Sequence, residues 1–273
     1  MEDITKLQWL ATLICILLVF FWLWLFPASN SVGSGLGQNA SAATFVDTGT
    51  MMEKTITLNS SVPPEEMPEE MLAENQTWEY FVFLPQGYNA SRAYPLIVGL
   101  HGAGGSALDY CRMWEGEANG HGFILACLQS NDSTGWWPYA ANVTTIAIVH
   151  KMQESYNISD IFLSGYSAGA RLSYHVSLWN PHVFRGISIA SGSFFWTPSQ
   201  DELKNAKGQH YYVFHGEDDT VRPLSDGMVP VNMLEQYGAN VTFTLLPNHG
   251  HEFPSEEKDN ITEWFISLEN SSS

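Results

Sequence analysis

The chain of 273 residues is 45% hydrophobic and 13% aromatic, which is enough to build a sizeable core and excludes an intrinsically disordered protein. Its 29 acidic residues against 11 basic ones give a net charge of -18, which excludes a nucleic-acid-binding surface and favours neutral or cationic partners. No cluster of His, Cys and carboxylate residues has the spacing of a metal site, so we predict neither a metal nor another cofactor.

The first predicted element is a membrane-spanning helix at residues 7–26, after a short N-terminal tail at 1–6. This run holds no charge, and as a helix rising ~1.5 Å per residue it would cross a ~30 Å hydrocarbon layer. A cleaved signal peptide is the alternative, since Pro27, Ala28 and Ser29 follow the apolar run. The acidic flank ahead of the run and the length of the run favour an uncleaved signal-anchor that contacts the membrane.

Asparagines indicate on which side of the membrane the rest of the chain lies. Ten of the 16 asparagines begin an Asn-x-Ser/Thr acceptor site for glycosylation, where chance would give roughly two or three. These acceptors are Asn39, Asn59, Asn75, Asn89, Asn131, Asn142, Asn157, Asn240, Asn260 and Asn270. Polar turns explain some of them. The excess predicts a glycosylated, extracytoplasmic domain, which would be secreted if the N-terminal segment were cleaved.

Residues 27–50, rich in Ser, Gly, Ala and Asn, are typical of a flexible tether, and a single catalytic domain is predicted at 51–270. Within it, short runs of apolar, β-branched and aromatic residues predict strands at 54–58, 78–84, 96–100, 123–128, 161–163, 186–190, 211–214 and 241–246. Helices are predicted at 143–156, 168–179, 229–237 and 255–268. This alternation indicates the α/β class, and the near-continuous hydrophobicity of several strands indicates a mostly parallel sheet flanked by helices on both faces.

Two cysteines, Cys111 and Cys127, lie outside the predicted membrane span. In an oxidising compartment they could form a disulfide. Cys127 falls within the apolar run 123–128, so a buried free thiol is the alternative. The sequence leaves both states open.

The run Gly165-Tyr166-Ser167-Ala168-Gly169 follows a predicted strand and precedes a predicted helix. In that context it predicts a nucleophile elbow, in which glycines permit a tight turn and the serine hydroxyl projects into a cleft. Composition alone produces a Gly-x-Ser-x-Gly match in roughly one chain in six like this one. The assignment of Ser167 as the nucleophile therefore depends on further signals.

One further signal is the glycine-rich loop at 101–105, directly after the predicted strand 96–100. Such a loop can aim backbone N–H groups at a developing oxyanion, and we assign that role to Ala103 together with Ala168, the residue after the nucleophile. A plain turn is one alternative. A phosphate-binding loop is disfavoured because no Lys-Ser/Thr pair follows the glycines.

The second further signal is an acid and a histidine that follow the serine in the order this elbow requires. Asp219 comes just after the strand 211–214, and His251 comes after the strand 241–246. The imidazole would take the serine proton, and the carboxylate would orient the imidazole. Each residue has neighbours that could replace it, namely Glu217 and Asp218 for the acid and His249 for the histidine. His101 and His215 are predicted to anchor loops through hydrogen bonds.

The stretch from Trp78 to Pro254 resembles the polyhydroxybutyrate depolymerase and feruloyl esterase group of α/β-hydrolases. The resemblance rests on segments 94–110, 156–174, 191–192, 215–223 and 249–254. It implies the α/β-hydrolase fold, a carboxylic ester hydrolase activity without cofactor, and an oxyanion hole at the positions of Ala103 and Ala168. Ala170 stands where members of the group often have a second glycine, and many members lack a membrane anchor, so the substrate is left open.

Aromatic residues after two predicted strands are candidates for a substrate pocket, because ligands bind at the carboxyl ends of such strands. They are Trp136, Trp137, Phe194, Phe195 and Trp196. Ordinary packing is the alternative for each. The sequence thus predicts a serine esterase acting on feruloyl-type, polyester or short-chain acyl esters, as small molecules or polymers. The alternative hypotheses are a peptidase of the prolyl-oligopeptidase type and a catalytically silent binding module.

Overall fold

The computed structural model of the protein describes residues 49–58 and 76–270. The predicted membrane span at 7–26 and nearly all of the predicted tether lie outside these residues. Within the two described ranges, none of the helices combines the length and the apolar character needed to cross a membrane.

An 8-stranded sheet forms the centre of the described part of the chain. Its strands are β1 (Thr50–Leu58), β2 (Gln76–Leu84), β3 (Tyr94–Leu100), β4 (Ile124–Leu128), β5 (Ile158–Tyr166), β6 (Gly186–Ala190), β7 (His210–Gly216) and β8 (Asn240–Leu246). The strand order is β1-β2-β4-β3-β5-β6-β7-β8. Strands β1 and β2 run antiparallel to their neighbours, and β3 to β8 pair in parallel. The predicted class, α/β with a mostly parallel sheet, is confirmed.

Helices follow most of the parallel strands. They are α1 (Ala107–Met113), α2 (Glu115–His121), α3 (Pro138–Ser155), α4 (Ala168–Trp179), α5 (Gln200–Lys204), α6 (Leu224–Gln236) and α7 (Ser255–Asn270). The sequence predicted α3, α4, α6 and α7 but missed the three short helices. Helix α2 is a poor helix by composition, with Gly116 and Gly120 in seven residues. It is stabilised instead by burial of Ala118 and the preceding Trp114.

The sheet is covered on both faces, as strand β3 shows. Leu96, Val98 and Leu100 pack into one cluster with side chains from α3, α4 and α6, whereas Ile97 packs into another with side chains from α1, α2 and α7. Alternate residues of a strand face opposite sides, so a strand buried on both sides must be apolar throughout. This explains the continuous hydrophobic runs in the sequence.

Cys111 and Cys127 lie in the second of these clusters, where both are buried free thiols. Burial and the neighbouring Cys111 raise the pKa of Cys127. Of the two states that the sequence left open, the structure contains the thiols. Because β3, β5, β7 and β8 are parallel, the loops after them emerge at one edge of the sheet, and the predicted catalytic residues lie in those loops.

Candidate active site

Ser167 occupies a tight turn between strand β5 and helix α4, with φ 53° and ψ -112°. An L-residue rarely adopts this conformation, and it costs on the order of 1–3 kcal/mol. The neighbouring glycines make the turn possible: a Cβ on Gly165 would lie 2.5 Å from the carbonyl oxygen of Gly169, and a Cβ on Gly169 would lie 2.0 Å from that of Leu100. The turn thus presents the Ser167 side chain at the end of the strand, as a nucleophile elbow does.

The structure brings Ser167, His251 and Asp219 together in one hydrogen-bonded chain. Nε2 of His251 lies 2.8 Å from Oγ of Ser167, and Nδ1 of His251 lies 2.7 Å from Oδ2 of Asp219. The second oxygen of Asp219 accepts hydrogen bonds from the backbone N–H groups of Val221 and Arg222, at 2.9 and 2.7 Å. These are the distances at which a general base and its orienting acid act.

The side chain of Asp219 is fully buried, and its carboxyl group is held in its ionised form. Burial alone would raise its pKa, but the N–H of Arg222, the imidazole of His251 and the N–H of Val221 outweigh burial and lower it. An ionised acid at this position fixes the proton of His251 on Nδ1 and leaves Nε2 free to accept the proton of Ser167.

The alternative candidates for the acid and the histidine are not part of this hydrogen-bonded chain. Glu217 and Asp218 are exposed. Nδ1 of His249 instead forms a hydrogen bond with Oε1 of Glu252 at 2.7 Å. His215 is fully buried, and its Nε2 donates to the carbonyl oxygen of Arg222 at 2.7 Å. His215 therefore anchors the loop that carries Asp219.

The glycine-rich loop after β3 lies directly beside the nucleophile, since a Cβ on Gly102 would lie 3.3 Å from Cβ of Ser167. The carbonyl oxygen of Gly102 accepts hydrogen bonds from Nδ1 of His101 and from the N–H of Gly105, at 2.7 and 3.1 Å. Within the described residues, the N–H groups of Ala103 and Ala168 have no hydrogen-bond acceptor. Both are thus available to a substrate oxygen at Ser167.

Tyr166 is a site residue that the sequence analysis missed. Its hydroxyl donates to the backbone oxygen of His251 at 2.8 Å, and its ring centroid lies 5.4 Å from that of the imidazole. Burial raises the pKa of Tyr166, so the hydroxyl keeps its proton. The only sequence signal was its place beside Ser167, because the contact joins residues 85 positions apart.

The aromatic residues predicted for a substrate pocket divide into buried and exposed ones. Trp136 is buried and donates from Nε1 to the carbonyl oxygen of His101 at 2.9 Å, and Phe194 is buried against Tyr174. Trp137 and Trp196 are 37% and 38% exposed, and Phe195 is partly buried. Trp137, Trp196 and Phe195 are therefore accessible to a ligand. Trp136 instead supports the loop of the predicted oxyanion hole.

No group of three or more His, Cys, Asp or Glu side chains in the described ranges is arranged to hold a metal ion.

Comparison with known proteins shows that the chain is similar to esterases. Residues 130–268, just over half of the chain, match the phospholipase/carboxylesterase family. A probable feruloyl esterase C of Aspergillus terreus is 27% identical over 63% of this chain and 66% of its own length. The feruloyl esterase C of Emericella nidulans is 27% identical over 56% of this chain and 59% of its own. The chain thus matches less than two thirds of the length of these relatives.

Solved structures show the same fold at lower identity. A thermostable esterase has a TM-score of 0.57 and 22% identity, and the match covers 83% of this chain and 61% of that one. An esterase structure from work on two fungal esterases of Rhizomucor miehei has a TM-score of 0.61 and 15% identity, covering 82% of this chain and 86% of that one. The fold is the α/β-hydrolase fold, as the sequence predicted.

Proposed function

The chain belongs to the phospholipase/carboxylesterase family, and on that premise we propose that it is a serine esterase that hydrolyses carboxylic esters through an acyl-enzyme on Ser167. The observation that supports this most directly is the chain of hydrogen bonds from Ser167 through His251 to the buried, ionised Asp219. A purely structural set of residues has no need of a strained serine turn beside two N–H groups that have no acceptor among the described residues.

In the first half of the reaction, Oγ of Ser167 attacks the ester carbonyl carbon while its proton passes to Nε2 of His251. The negative charge that forms on the carbonyl oxygen is stabilised by the N–H groups of Ala103 and Ala168. Asp219 stabilises the resulting imidazolium through Nδ1. When the tetrahedral intermediate collapses, the C–O bond to the alcohol breaks, and the leaving oxygen takes the proton from Nε2.

In the second half, water attacks the acyl carbon and gives its proton to Nε2 of His251. A second tetrahedral oxyanion forms in the same position. Its collapse breaks the bond to Oγ of Ser167, which recovers the proton, and the carboxylic acid leaves. The enzyme returns to its starting state, so the cycle consumes one ester and one water.

The proposed substrates are feruloyl-type, polyester or short-chain acyl esters. The feruloyl type is supported by the relatives from Aspergillus terreus and Emericella nidulans, which are named as feruloyl esterases. Phe195, Trp137 and Trp196 would contact the acyl or alcohol group. We further propose an extracytoplasmic, glycosylated location. It is supported by six acceptor asparagines that are exposed within the described ranges, namely Asn89, Asn131, Asn157, Asn240, Asn260 and Asn270.

The experiment that tests the function is ester hydrolysis by the full chain and by the variant Ser167→Ala. We expect 4-nitrophenyl butyrate to be hydrolysed, and we expect the variant to lose at least ~1,000-fold in kcat while keeping its thermal unfolding curve. Ser225→Ala, which removes an exposed hydroxyl on α6, is the matched control and should retain full activity. Turnover by purified Ser167→Ala would refute the proposal.

A fluorophosphonate probe separates the esterase from a folded but silent binding module. The probe should label the wild-type protein at Ser167 and fail to label Ser167→Ala. Parallel assays with the 4-nitroanilide of the same acid, butyric acid, test the peptidase hypothesis. Faster cleavage of the anilide than of the ester would favour a peptidase.

A further inference from the structure

Arg171 lies four residues after the nucleophile, ~6 Å along the axis of α4. Its backbone N–H donates to the carbonyl oxygen of Ser167 at 3.0 Å. The guanidinium carbon lies 4.2 Å above the ring of Phe195, in the loop that follows strand β6. Helical side chains lean toward the N-terminus, which is the end of α4 that carries Ser167.

Arg222 lies in the loop after β7, the loop that also carries Asp219. The backbone N–H of Arg222 donates to the carboxylate of Asp219, and its carbonyl oxygen accepts from Nε2 of His215. Arg222 is half-buried. Strands β6 and β7 are adjacent and parallel, so the loops after them open on the same edge of the sheet as Ser167. Burial and, after it, the positive charge of Arg222 lower the pKa of Arg171, so the two cations interact electrostatically.

Neither guanidinium has an acidic partner within the described ranges, although the whole chain carries 29 acidic residues. Nε of Arg171 is buried and has no hydrogen-bond acceptor among the described residues. A solvated surface arginine satisfies its donors with water, but a buried donor left unpaired costs ~1–3 kcal/mol. Two arginines near the catalytic residues are thus left without an acidic partner within the described ranges and are available to an anion.

On the basis of the proposed esterase function, we propose that the cleft binds an ester that carries a carboxylate, and that this carboxylate lies between the guanidinium groups of Arg171 and Arg222. Arginine is suited to this role because its planar donor fork matches the two oxygens of a carboxylate. The net charge of -18 does not oppose it at physiological salt, because charges more than ~8 Å away are screened.

The test compares two esters that differ only in this charge, mono(4-nitrophenyl) adipate and its terminal methyl ester, 4-nitrophenyl methyl adipate. We call the ratio of their kcat/KM values the charge preference. A second pair, 4-carboxyphenyl butyrate and its methyl ester, carries the charge on the alcohol half. The variants are Arg171→Gln, Arg222→Gln, their combination, and Arg171→Lys, which keeps the positive charge.

We expect the charge preference of the wild-type protein to fall about tenfold in each Gln variant for at least one of the two pairs. Arg171→Lys should retain part of it. Comparing ratios between proteins cancels the different intrinsic reactivity of the esters. Arg112→Gln, which removes an exposed arginine on α1, should keep the wild-type ratio and serves as the control for net charge.

An equal charge preference in the wild-type protein and the double Gln variant, for both ester pairs, would overturn carboxylate recognition while leaving the esterase function intact. By contrast, inertness toward all four esters together with absent fluorophosphonate labelling would overturn the esterase function itself. Labelling of each Gln variant by the probe shows that its nucleophile turn is folded.

Discussion

Nδ1 of His101 donates a 2.7 Å hydrogen bond to the carbonyl oxygen of Gly102, the residue before the proposed oxyanion donor Ala103. The proton is on Nδ1 because Nε2 faces the backbone N–H of Ser130, which can only donate. The carbonyl of Gly102 and the N–H of Ala103 belong to one planar trans peptide. By fixing the carbonyl group of Gly102, His101 also sets the direction of the N–H group of Ala103.

Replacing this histidine should therefore weaken oxyanion stabilisation without removing a catalytic group. We expect His101→Phe, which keeps a ring against Trp136, to lower kcat about 10- to 100-fold with little change in KM. Its affinity for a boronic acid, which forms a tetrahedral adduct with Ser167, should fall in parallel. An unchanged kcat would show that the peptide stays oriented without His101.

The acid of the site can be tested against its immediate neighbour. Asp219→Asn should lower kcat by roughly 10,000-fold, because the amide no longer holds His251 in the tautomer that accepts the serine proton. Asp218→Asn alters the same charge in the same loop, but its side chain is exposed, and it should retain near wild-type activity. Steady-state kinetics on 4-nitrophenyl butyrate measure both. Comparable losses in the two variants would contradict the assignment.

The nucleophile turn makes a prediction about stability. Gly169→Ala places a methyl group 2.0 Å from the carbonyl oxygen of Leu100, backbone that cannot move without disturbing strand β3. We expect a loss of several kcal/mol, about 3–5, in the free energy of unfolding by urea. Ala170→Gly, one residue along the same helix, should cost only about 1 kcal/mol. Equal midpoints for the two variants would show that the turn relaxes easily.

The residues found from the sequence alone are those with a local signal. Ser167, Asp219 and His251 each follow a recognisable strand, and parallel strands place their following loops at one edge of the sheet. Glycine spacing marked the turn at Ser167 because only small residues fit there. The fold class followed in the same way from continuous hydrophobic strands.

Residues whose roles depend on distant partners gave no such signal. Tyr166 contacts the backbone of His251, and Arg171, on helix α4, contacts Phe195 in the loop after β6. Trp136 is an aromatic residue in a loop after a strand, as a pocket residue would be. In the structure, however, it is buried and donates a hydrogen bond to the carbonyl oxygen of His101. Helix α2 was missed because burial, rather than helix propensity, stabilises it.

Glycosylation provides a test of the proposed extracytoplasmic location. In a eukaryotic secretory host, we expect enzymatic removal of N-glycans to lower the apparent mass of the protein on a gel. Asn131→Gln should remove one glycan, since Asn131 is exposed. Asn142→Gln should change nothing, because Asn142 is half-buried, its side chain accepts from Asn180 at 2.6 Å, and Thr144 of its acceptor site is fully buried. An unchanged mass after treatment of the wild-type protein would count against this location.

His175 makes the protein sensitive to acid independently of its activity. Its side chain is fully buried among aromatic rings, with the ring of Trp196 at 4.3 Å, and Nε2 accepts from the backbone N–H of Phe195. Burial lowers its pKa to about 4, from 6.5 in an exposed histidine. Between those values the unfolded chain binds the proton and the folded protein does not, so stability falls as the pH falls.

The size of this effect follows from the two pKa values. We expect His175 to contribute a loss of about 2 kcal/mol in the free energy of unfolding between pH 7 and pH 5. His175→Gln offers Phe195 a hydrogen-bond acceptor that does not titrate, so its stability should change less over this range. His121→Gln removes an exposed histidine and should follow the wild-type curve. Urea unfolding at both pH values measures the slopes, and parallel slopes for wild type and His175→Gln would place the acid sensitivity elsewhere.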